Sequence, residues 1–380
     1  MTLQIFICRR HIDVRSGAGQ MIASQARFLT RKDFTVTVSC EKLGVGAGSA
    51  FAGCSLMHMP KISRLLLPAR IRKQRYDVRV KHFRAGRRGI VIDHCETVAD
   101  ADISYVHNFL APEHTVQATK YVTDQGGERD YWTAITAATT IIANSQMVKR
   151  GLVEKYGIPD TTIEVLYPGY DPVRYNPATR EESRSAARQR LGVKDNEYLI
   201  GLITSGQFEK RGLDVFLDCI EKLRHQRPQI RALIVGGRHA PGSLQSHSLF
   251  KTGAVLYKPV TSVPEKYFST LDAFLYPARY EEFGIVVLEA MAMGIPVISS
   301  GTVGAAELLA QSADQLIVPA TESRTTDYCR RVAQLLDMRH EQLTDLSRSL
   351  QSIASEHTHD KHNALLEAII ETKLPAERIG

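Results

Sequence analysis

Ala278 to Ser300 reads ARYEEFGIVVLEAMAMGIPVISS, and the arrangement of this stretch sets the reading of the whole chain. The apolar run before it, Ala273–Tyr276, has strand character and is ended by Pro277. A polar loop comes next, then Gly284, which lets backbone approach a ligand closely, then an apolar helix predicted from Ile285 to about Met293. Gly294 and Pro296 stop that helix, and Val297-Ile298 start the next strand. Free backbone N–H groups near Phe283, Gly284 and Ile285 then lie at a helix N-terminus, where partial positive charge suits a phosphate or the polar groups of a sugar. Glu281 and Glu289 bracket the turn. An ionised carboxylate only accepts hydrogen bonds, so the two can hold the paired hydroxyls of a ribose or hexose. A single Glu on a surface loop is ordinarily a solvated charge; here the context decides.

Working outward, the same alternation recurs on both sides. Tyr198–Thr204, a helix Leu213–Gln226, Ala232–Val235 ending in Gly236-Gly237, and Val255–Tyr257 precede the quoted segment. The turn after the first of these strands runs Ser205-Gly206-Gln207-Phe208-Glu209-Lys210-Arg211-Gly212-Leu213-Asp214. Adjacent cations, a glycine and a helix start make a phosphate-binding turn there, with Lys210 and Arg211 supplying charge and Gly212 allowing close approach. Earlier in the chain, strands are predicted at Leu3–Cys8, Thr35–Cys40, Ile90–Ile92, Ile103–His107, Thr140–Asn144 and Ile163–Leu166. Helices are predicted near Gln20–Leu29 and from Gln146 to about Tyr156. At 380 residues the chain suits two domains, and two runs of strand–helix alternation predict an α/β protein of two Rossmann-like domains facing each other across a cleft. The charged, helix-prone stretch Ala178–Asn196 is the predicted linker.

Six scattered cysteines show no metal-ligand or redox spacing, and this fits a reducing cytoplasm. The N-terminus reads as a first strand rather than a signal peptide, and no run is long enough to cross a membrane. Residues 1–180 hold 25 Lys+Arg against 16 Asp+Glu, so the net charge of +7 comes from this half. Eleven of these cations lie between Lys61 and Arg88 against the single acid Asp77, among Leu65, Leu66, Leu67, Ile71, Tyr76 and Phe83. Arg70, Arg72, Lys73, Arg75, Arg79 and Lys81 form its centre. A basic amphipathic stripe of this kind suits an anionic membrane surface or an anionic acceptor. A solvated face and nucleic acid are the other readings, and no nucleic-acid-binding module accompanies the stripe.

The quoted segment resembles the signature of the family 4 retaining glycosyltransferases of the GT-B fold: Glu, Gly-Phe-Gly, four residues, then Glu-Ala-Met-Ala-x-Gly-x-Pro-Val. Glu281, Phe283, Gly284, Glu289, Ala290, Met291, Ala292, Gly294, Pro296 and Val297 match in register. Glu282 departs, standing where the family usually has Gly, and adds a carboxylate beside the sugar position. The resemblance implies that Glu289 grips the nucleotide ribose, Glu281 the hexose hydroxyls, and Lys210 with Arg211 the diphosphate. The order here is Lys then Arg, the reverse of the commoner form. Ser205, Gly206, Phe283, Gly284 and Ile285 complete the implied donor site. Gly17 and Gly19 line the side opposite the donor phosphates, Gln20 faces substrate, and His107 ends a strand and points toward the reacting sugar, with His94 the fallback if the register slips. The turn Gly169-Tyr170-Asp171 and Tyr175-Asn176-Pro177 would close the N-terminal domain. The implied division is an acceptor-binding domain over 1–180 and a nucleotide-sugar-binding domain over 181–357. A final helix, from about Lys361 to Lys373 within 358–380, packs back on the first domain.

The expected activity is therefore metal-independent, retaining transfer of a hexose from UDP- or GDP-hexose to a cell-envelope glycan or lipid-linked acceptor, such as a lipopolysaccharide core. No cofactor beyond the nucleotide sugar is expected. The expected location is the cytoplasmic face of the membrane, held peripherally. A sugar-nucleotide epimerase of the same fold and a non-catalytic membrane-surface module are the alternatives. Asp100-Ala101-Asp102 has the DxD form that holds a metal in another glycosyltransferase fold, but isolated triplets are common. His357, His359 and His362 read as a solvated helix entry rather than a metal site.

Overall fold

A computed structural model describes residues 3–14, 16–44, 47–58, 89–94, 101–107, 137–320 and 325–373, with Ile71, Val78, residues 81–83, Val98 and Ile135 singly between them. The apolar runs form two main parallel sheets, one in each of two compact units. The first unit is Met1–Gly169 with His359–Gly380, and the second is Tyr170–Thr358.

In the first unit, β1 (Gln4–Cys8), β3 (Thr35–Cys40), β5 (Ser55–His58), β6 (Gly89–Asp93), β7 (Ile103–Val106), β8 (Thr140–Ala143) and β9 (Ile163–Val165) lie in the order β5-β3-β1-β6-β7-β8-β9. The short strands β2 (His11–Ile12) and β4 (Lys42–Leu43) pair separately. The chain builds outward from β1 and then returns to the far side of β1 with β6, so the order reverses between these two strands. Helix α1 (Gly17–Arg31) is capped by Ser16, whose Oγ accepts the Gly19 N–H at 3.1 Å. It packs Ile22, Ala26 and Leu29 into a core with Ile5, Ile7, Val36 and Val38. Helix α2 (Gln146–Tyr156) is capped by Ser145 and stopped by Gly157 in the left-handed conformation.

The second unit repeats the plan. Strands β10 (Tyr198–Ile203), β11 (Ile230–Val235), β12 (Val255–Lys258), β13 (Ala273–Tyr276), β14 (Val297–Ser300) and β15 (Ile317–Val318) are ordered β12-β11-β10-β13-β14-β15. The reversal falls between β10 and β13, which pair through Ile200–Ala273 and Gly201–Phe274. Loops leaving the carboxyl ends of two such strands diverge to opposite faces and leave room for a ligand at the switch point.

The boundary between the units falls after Gly169 rather than after residue 180, because the residues beyond Gly169 are anchored to the second unit. Arg174 pairs with Glu265 at 2.5 Å, and Tyr175 packs edge-on against Phe268. Helix α3 (Pro177–Arg190) then turns Arg180, Arg184 and Arg188, each four residues apart, onto the carbonyls of Ser269, Thr270 and Leu271 and the carboxylate of Asp272. The predicted linker is thus a helix fastened to the second unit. Gly169 is the last residue of the first unit's main segment, and Tyr170–Pro177 opens the second unit instead of closing the first.

The last helix, His359–Thr372, belongs to the first unit, where Leu366 and Ile370 are buried in the same core as α1. His362 is 3% exposed, so the solvated reading of that residue is wrong. Its Nδ1 meets the Tyr167 carbonyl at 2.8 Å and its Nε2 lies 3.2 Å from Gln25 Nε2. Most of the basic stripe, including Arg70, Arg72, Lys73, Arg75 and Arg79, lies outside the described residues; Lys81 is exposed. Asp102 accepts the Val91 N–H at 2.8 Å and so braces β6; Asp100 is not among the described residues. Among the described residues, no helix is long and apolar enough to cross a membrane.

Candidate active site

At the switch point of the second unit, two loops are zipped together. The loop after β10 carries Lys210 and Arg211; the loop after β13 carries Glu281 and Glu282. The Arg279 N–H donates to the Lys210 carbonyl at 2.9 Å, and the Arg279 guanidinium grips Asp214 through two bonds of 2.9 and 2.6 Å. Gly212 has a φ of +68°, and a Cβ there would sit 2.0 Å from the Pro277 carbonyl oxygen. The close approach that makes this position glycine is therefore to the neighbouring loop, not to a ligand. The far side of the β13 loop is pinned as well: the Glu281 N–H donates to the Thr302 carbonyl at 3.1 Å, the Glu281 carbonyl accepts from Gly304 at 3.0 Å, and the Thr302 hydroxyl donates to the Ala278 carbonyl.

This closure brings four charged side chains of the two loops into contact. Lys210 Nζ lies 3.1 Å from Glu282 Oε2, and 5.4 Å from the centre of the Tyr280 ring. Arg211 Nη1 lies 2.5 Å from Glu281 Oε2, and the Tyr276 hydroxyl donates to the same oxygen at 3.3 Å. The Arg211 contact is a close ion pair. The Arg211 Nε is buried with no hydrogen-bond acceptor. Buried donors without acceptors are costly, and an anion entering here would satisfy them. Burial lifts the Glu281 carboxyl above its ordinary value despite the opposing charge of Arg211, with Glu282 adding to the rise. Burial alone would depress the Arg211 guanidinium, but Tyr276 and Glu281 more than offset it.

Gly284, with φ +84°, turns the chain into the helix Ile285–Ala292, at whose N-terminus the first N–H groups have no helical acceptor. The turn is held by the Ala305 N–H, which donates to the Phe283 carbonyl at 2.7 Å. Glu289, one helical turn beyond Ile285, is 5% exposed. It lies beside Tyr175 and Arg174, and burial pushes its carboxyl up to about 8 against the opposing pull of those two residues. Ser205 and Gly206 sit at the end of β10, where the Ser205 carbonyl accepts from Gly237 after β11.

Gly17, Gly19, Gln20 and His107 belong to the first unit and lie by its own switch point. Gly17, Gly19 and Gln20 open α1; a Cβ at Gly19 would strike the Asp13 carbonyl oxygen at 2.0 Å. His107 follows β7, and its Nε2 lies 2.9 Å from His94 Nδ1. The two histidines are partners rather than alternatives. His94 is buried at the end of β6 and stacked on Tyr105 at 4.2 Å, while His107 is half-buried. Burial holds both imidazoles well below the usual histidine range. Gln25 Nε2 donates to the Tyr105 hydroxyl at 3.0 Å and joins this group to His362.

Sequence reasoning missed Tyr276, Arg279 with Asp214, and the Arg174–Tyr175–Glu265 surround of Glu289. Tyr276 and Arg279 flank Pro277 and could have been found from their place at the strand end. The surround of Glu289 carries no local signal, because Arg174 and Tyr175 are more than a hundred positions away.

Two family models match the chain: residues 15–174 match the model described as Glycosyltransferase Family 4, and residues 200–338 match Glycosyl transferases group 1. D-inositol 3-phosphate glycosyltransferase of Nocardia farcinica is 30% identical over 214 residues, which is 53% of this chain and 46% of that protein. The enzyme of the same name from Salinispora arenicola is 28% identical over 211 residues, 50% of this chain and 47% of that protein. The chain thus spans about half the length of these curated relatives. Among solved structures, WaaG, a glycosyltransferase involved in lipopolysaccharide biosynthesis, superposes with a TM-score of 0.76 at 17% identity, covering 96% of this chain and 99% of WaaG. Anabaena HepE in complex with UDP and glucose superposes with a TM-score of 0.73 at 19% identity, covering 97% and 100%. At these identities the likeness is one of fold.

Proposed function

The chain belongs to the family 4 glycosyltransferases of the GT-B fold, and from that premise we propose that it transfers a hexose from a nucleoside diphosphate sugar, with retention and without a metal. The observation that carries this reading is the meeting of Lys210, Arg211, Glu281 and Glu282 at the β10/β13 switch point, with the buried Arg211 Nε left without an acceptor. A leaving diphosphate gains a full negative charge as the glycosidic bond breaks. Cations and helix N–H groups already in place stabilise that charge more in the transition state than in the bound donor. In this reading Glu281 holds hexose hydroxyls and Glu289 the ribose. In the same reading His107, paired with His94 in the first unit, is the residue assigned to the transferred sugar. Departure and attack on one face, with the leaving phosphate accepting the acceptor's proton, would retain configuration.

The proposed acceptor is a cell-envelope glycan or lipid-linked sugar. The name of the WaaG neighbour agrees with this, while the curated relatives are named for an inositol phosphate acceptor. The basic stripe is proposed to hold the chain peripherally on an anionic membrane surface; sedimentation with anionic and neutral vesicles at low and high salt tests it, and charge-blind binding would remove it.

Calorimetry with UDP-glucose, GDP-mannose, UDP and GDP tests the central claim. Binding of one nucleotide class, weakened but still measurable in Lys210→Ala, is expected. No binding of any of the four by the folded protein would leave the non-catalytic reading. Turnover of the accepted donor should fall by about 10²–10³ in Lys210→Ala, comparable to loss of one oxyanion donor.

A further inference from the structure

Lys210, the residue assigned above to the diphosphate, already carries an anion in this structure. Glu282 Oε2 lies 3.1 Å from its Nζ, with side-chain exposures of 8% for Glu282 and 23% for Lys210. This carboxylate stands where the family pattern has Gly, so the ion pair is a property of this chain rather than of the signature. Its neighbour Glu281 faces Arg211. Two cations and two carboxylates therefore cancel at the place where a diphosphate must bind.

Resting on the function proposed above, we propose that Glu282 is an internal counter-anion that holds Lys210 until a diphosphate displaces it, and that it thereby weakens donor binding and speeds release of the nucleoside diphosphate product. A diphosphate reaching Lys210 meets a like charge a few ångströms away in a poorly hydrated site, where repulsion is much stronger than in water. The pair has a second effect. It keeps the half-buried ammonium compensated while the site is empty, since removing one member of a pair shielded from water leaves the other charge uncompensated. Affinity is given up for stability of the empty site and for turnover.

The prediction has a direction that a merely structural role does not produce. Glu282→Gln is expected to lower the melting temperature of the empty protein and yet bind UDP or GDP, whichever the wild type accepts, about five- to tenfold more tightly. Inhibition of turnover by the same nucleotide should strengthen by a like factor. Glu282→Asp, which keeps the charge, should stay near wild type, and Glu282→Gln in a Lys210→Ala background should change nucleotide affinity little. Calorimetry on these three variants, on Lys210→Ala and on the wild type reads melting and affinity, and a turnover assay with added nucleotide reads the inhibition. Unchanged or weaker nucleotide binding by Glu282→Gln, with the wild type binding normally, overturns the inference alone. Equal tightening with and without Lys210 also overturns it. Failure of the wild type to bind either nucleotide overturns the proposed function and the inference with it.

Discussion

Glu289 is a carboxyl group held where its charge is expensive, and this gives it a measurable signature. Its folded value, about 8, is raised from the ordinary 4.5 by burial. Between these two values the folded chain binds more protons at this site than the unfolded chain. The stability it contributes is complete below about pH 4.5 and is lost as pH rises through about 8. Glu289→Gln removes that dependence, so the stability of the variant relative to wild type should climb between pH 5 and 8, by roughly 1 kcal/mol per unit at most. Urea midpoints across that range check it, and parallel curves would show that Glu289 is not buried as described. Gly212 yields a second prediction at this scale. Gly212→Ala places a methyl group 2.0 Å from the Pro277 carbonyl at a φ of +68°, and should destabilise the protein by about 2 kcal/mol or more, with nucleotide binding lost as the two loops part. The residues of the quoted signature were legible one by one because the resemblance gives each a place. The partner of each was not, since Lys210 and Glu282 lie 72 positions apart and meet only when two loops close.

At the scale of elements, the alternation of apolar runs marked most of the strands of both sheets. Leu213–Gln226 has the bounds read from periodicity, and Thr35–Cys40 and Ala273–Tyr276 were equally clear. The elements that escaped include short strands and helices in places where no pattern was read, such as β2, β4 and the helices Gly242–Ser246, Ser248–Lys251 and Glu265–Phe268. Strands β5 and β15 are a mostly exposed edge strand and a two-residue strand, without the buried apolar run that a central strand requires. The helices Ala306–Ala313, Thr325–Leu336 and His340–Ser355 lie between the signature and the closing helix, where the sequence reading places no elements. The closing helix is where placement mattered most. His362 reads as a solvated residue from its charged neighbours, yet it joins Tyr167 to Gln25 inside the first unit. Burial pulls its imidazole down to about 4. The unfolded chain therefore takes up this proton first, and the stability it contributes is present above about pH 6.5 and lost as pH falls toward 4. His362→Ala should cost about 1–3 kcal/mol at neutral pH by leaving the Tyr167 carbonyl and one N–H of the Gln25 amide unpaired, and should flatten the loss of stability between pH 6.5 and 4. Thermal melts across that range measure both effects.

At the scale of the whole molecule, the chain path makes the two units unequal. The second is one continuous segment, Tyr170–Thr358, whereas the first needs both ends of the chain. Residues 170–358 alone should fold cooperatively. Residues 1–169 alone lack Leu366 and Ile370, both fully buried, and should lose about 4 kcal/mol or more, recovered when a 359–380 peptide is supplied. Circular dichroism melts of the two fragments decide the matter; equal stability of 1–169 with and without the peptide would contradict the packing described. The sequence by itself determined the two-unit α/β plan, the switch-point loops and the signature glutamates, because hydrophobic period and turn residues are local and the signature keeps its register within one stretch. Only the tertiary structure decided that Gly169 ends the first unit, that His94 and His107 act as a pair, and that Glu282 occupies Lys210. Each of these rests on contacts between residues distant in sequence, set by strand order and loop closure, and no local pattern of residues encodes such a distance.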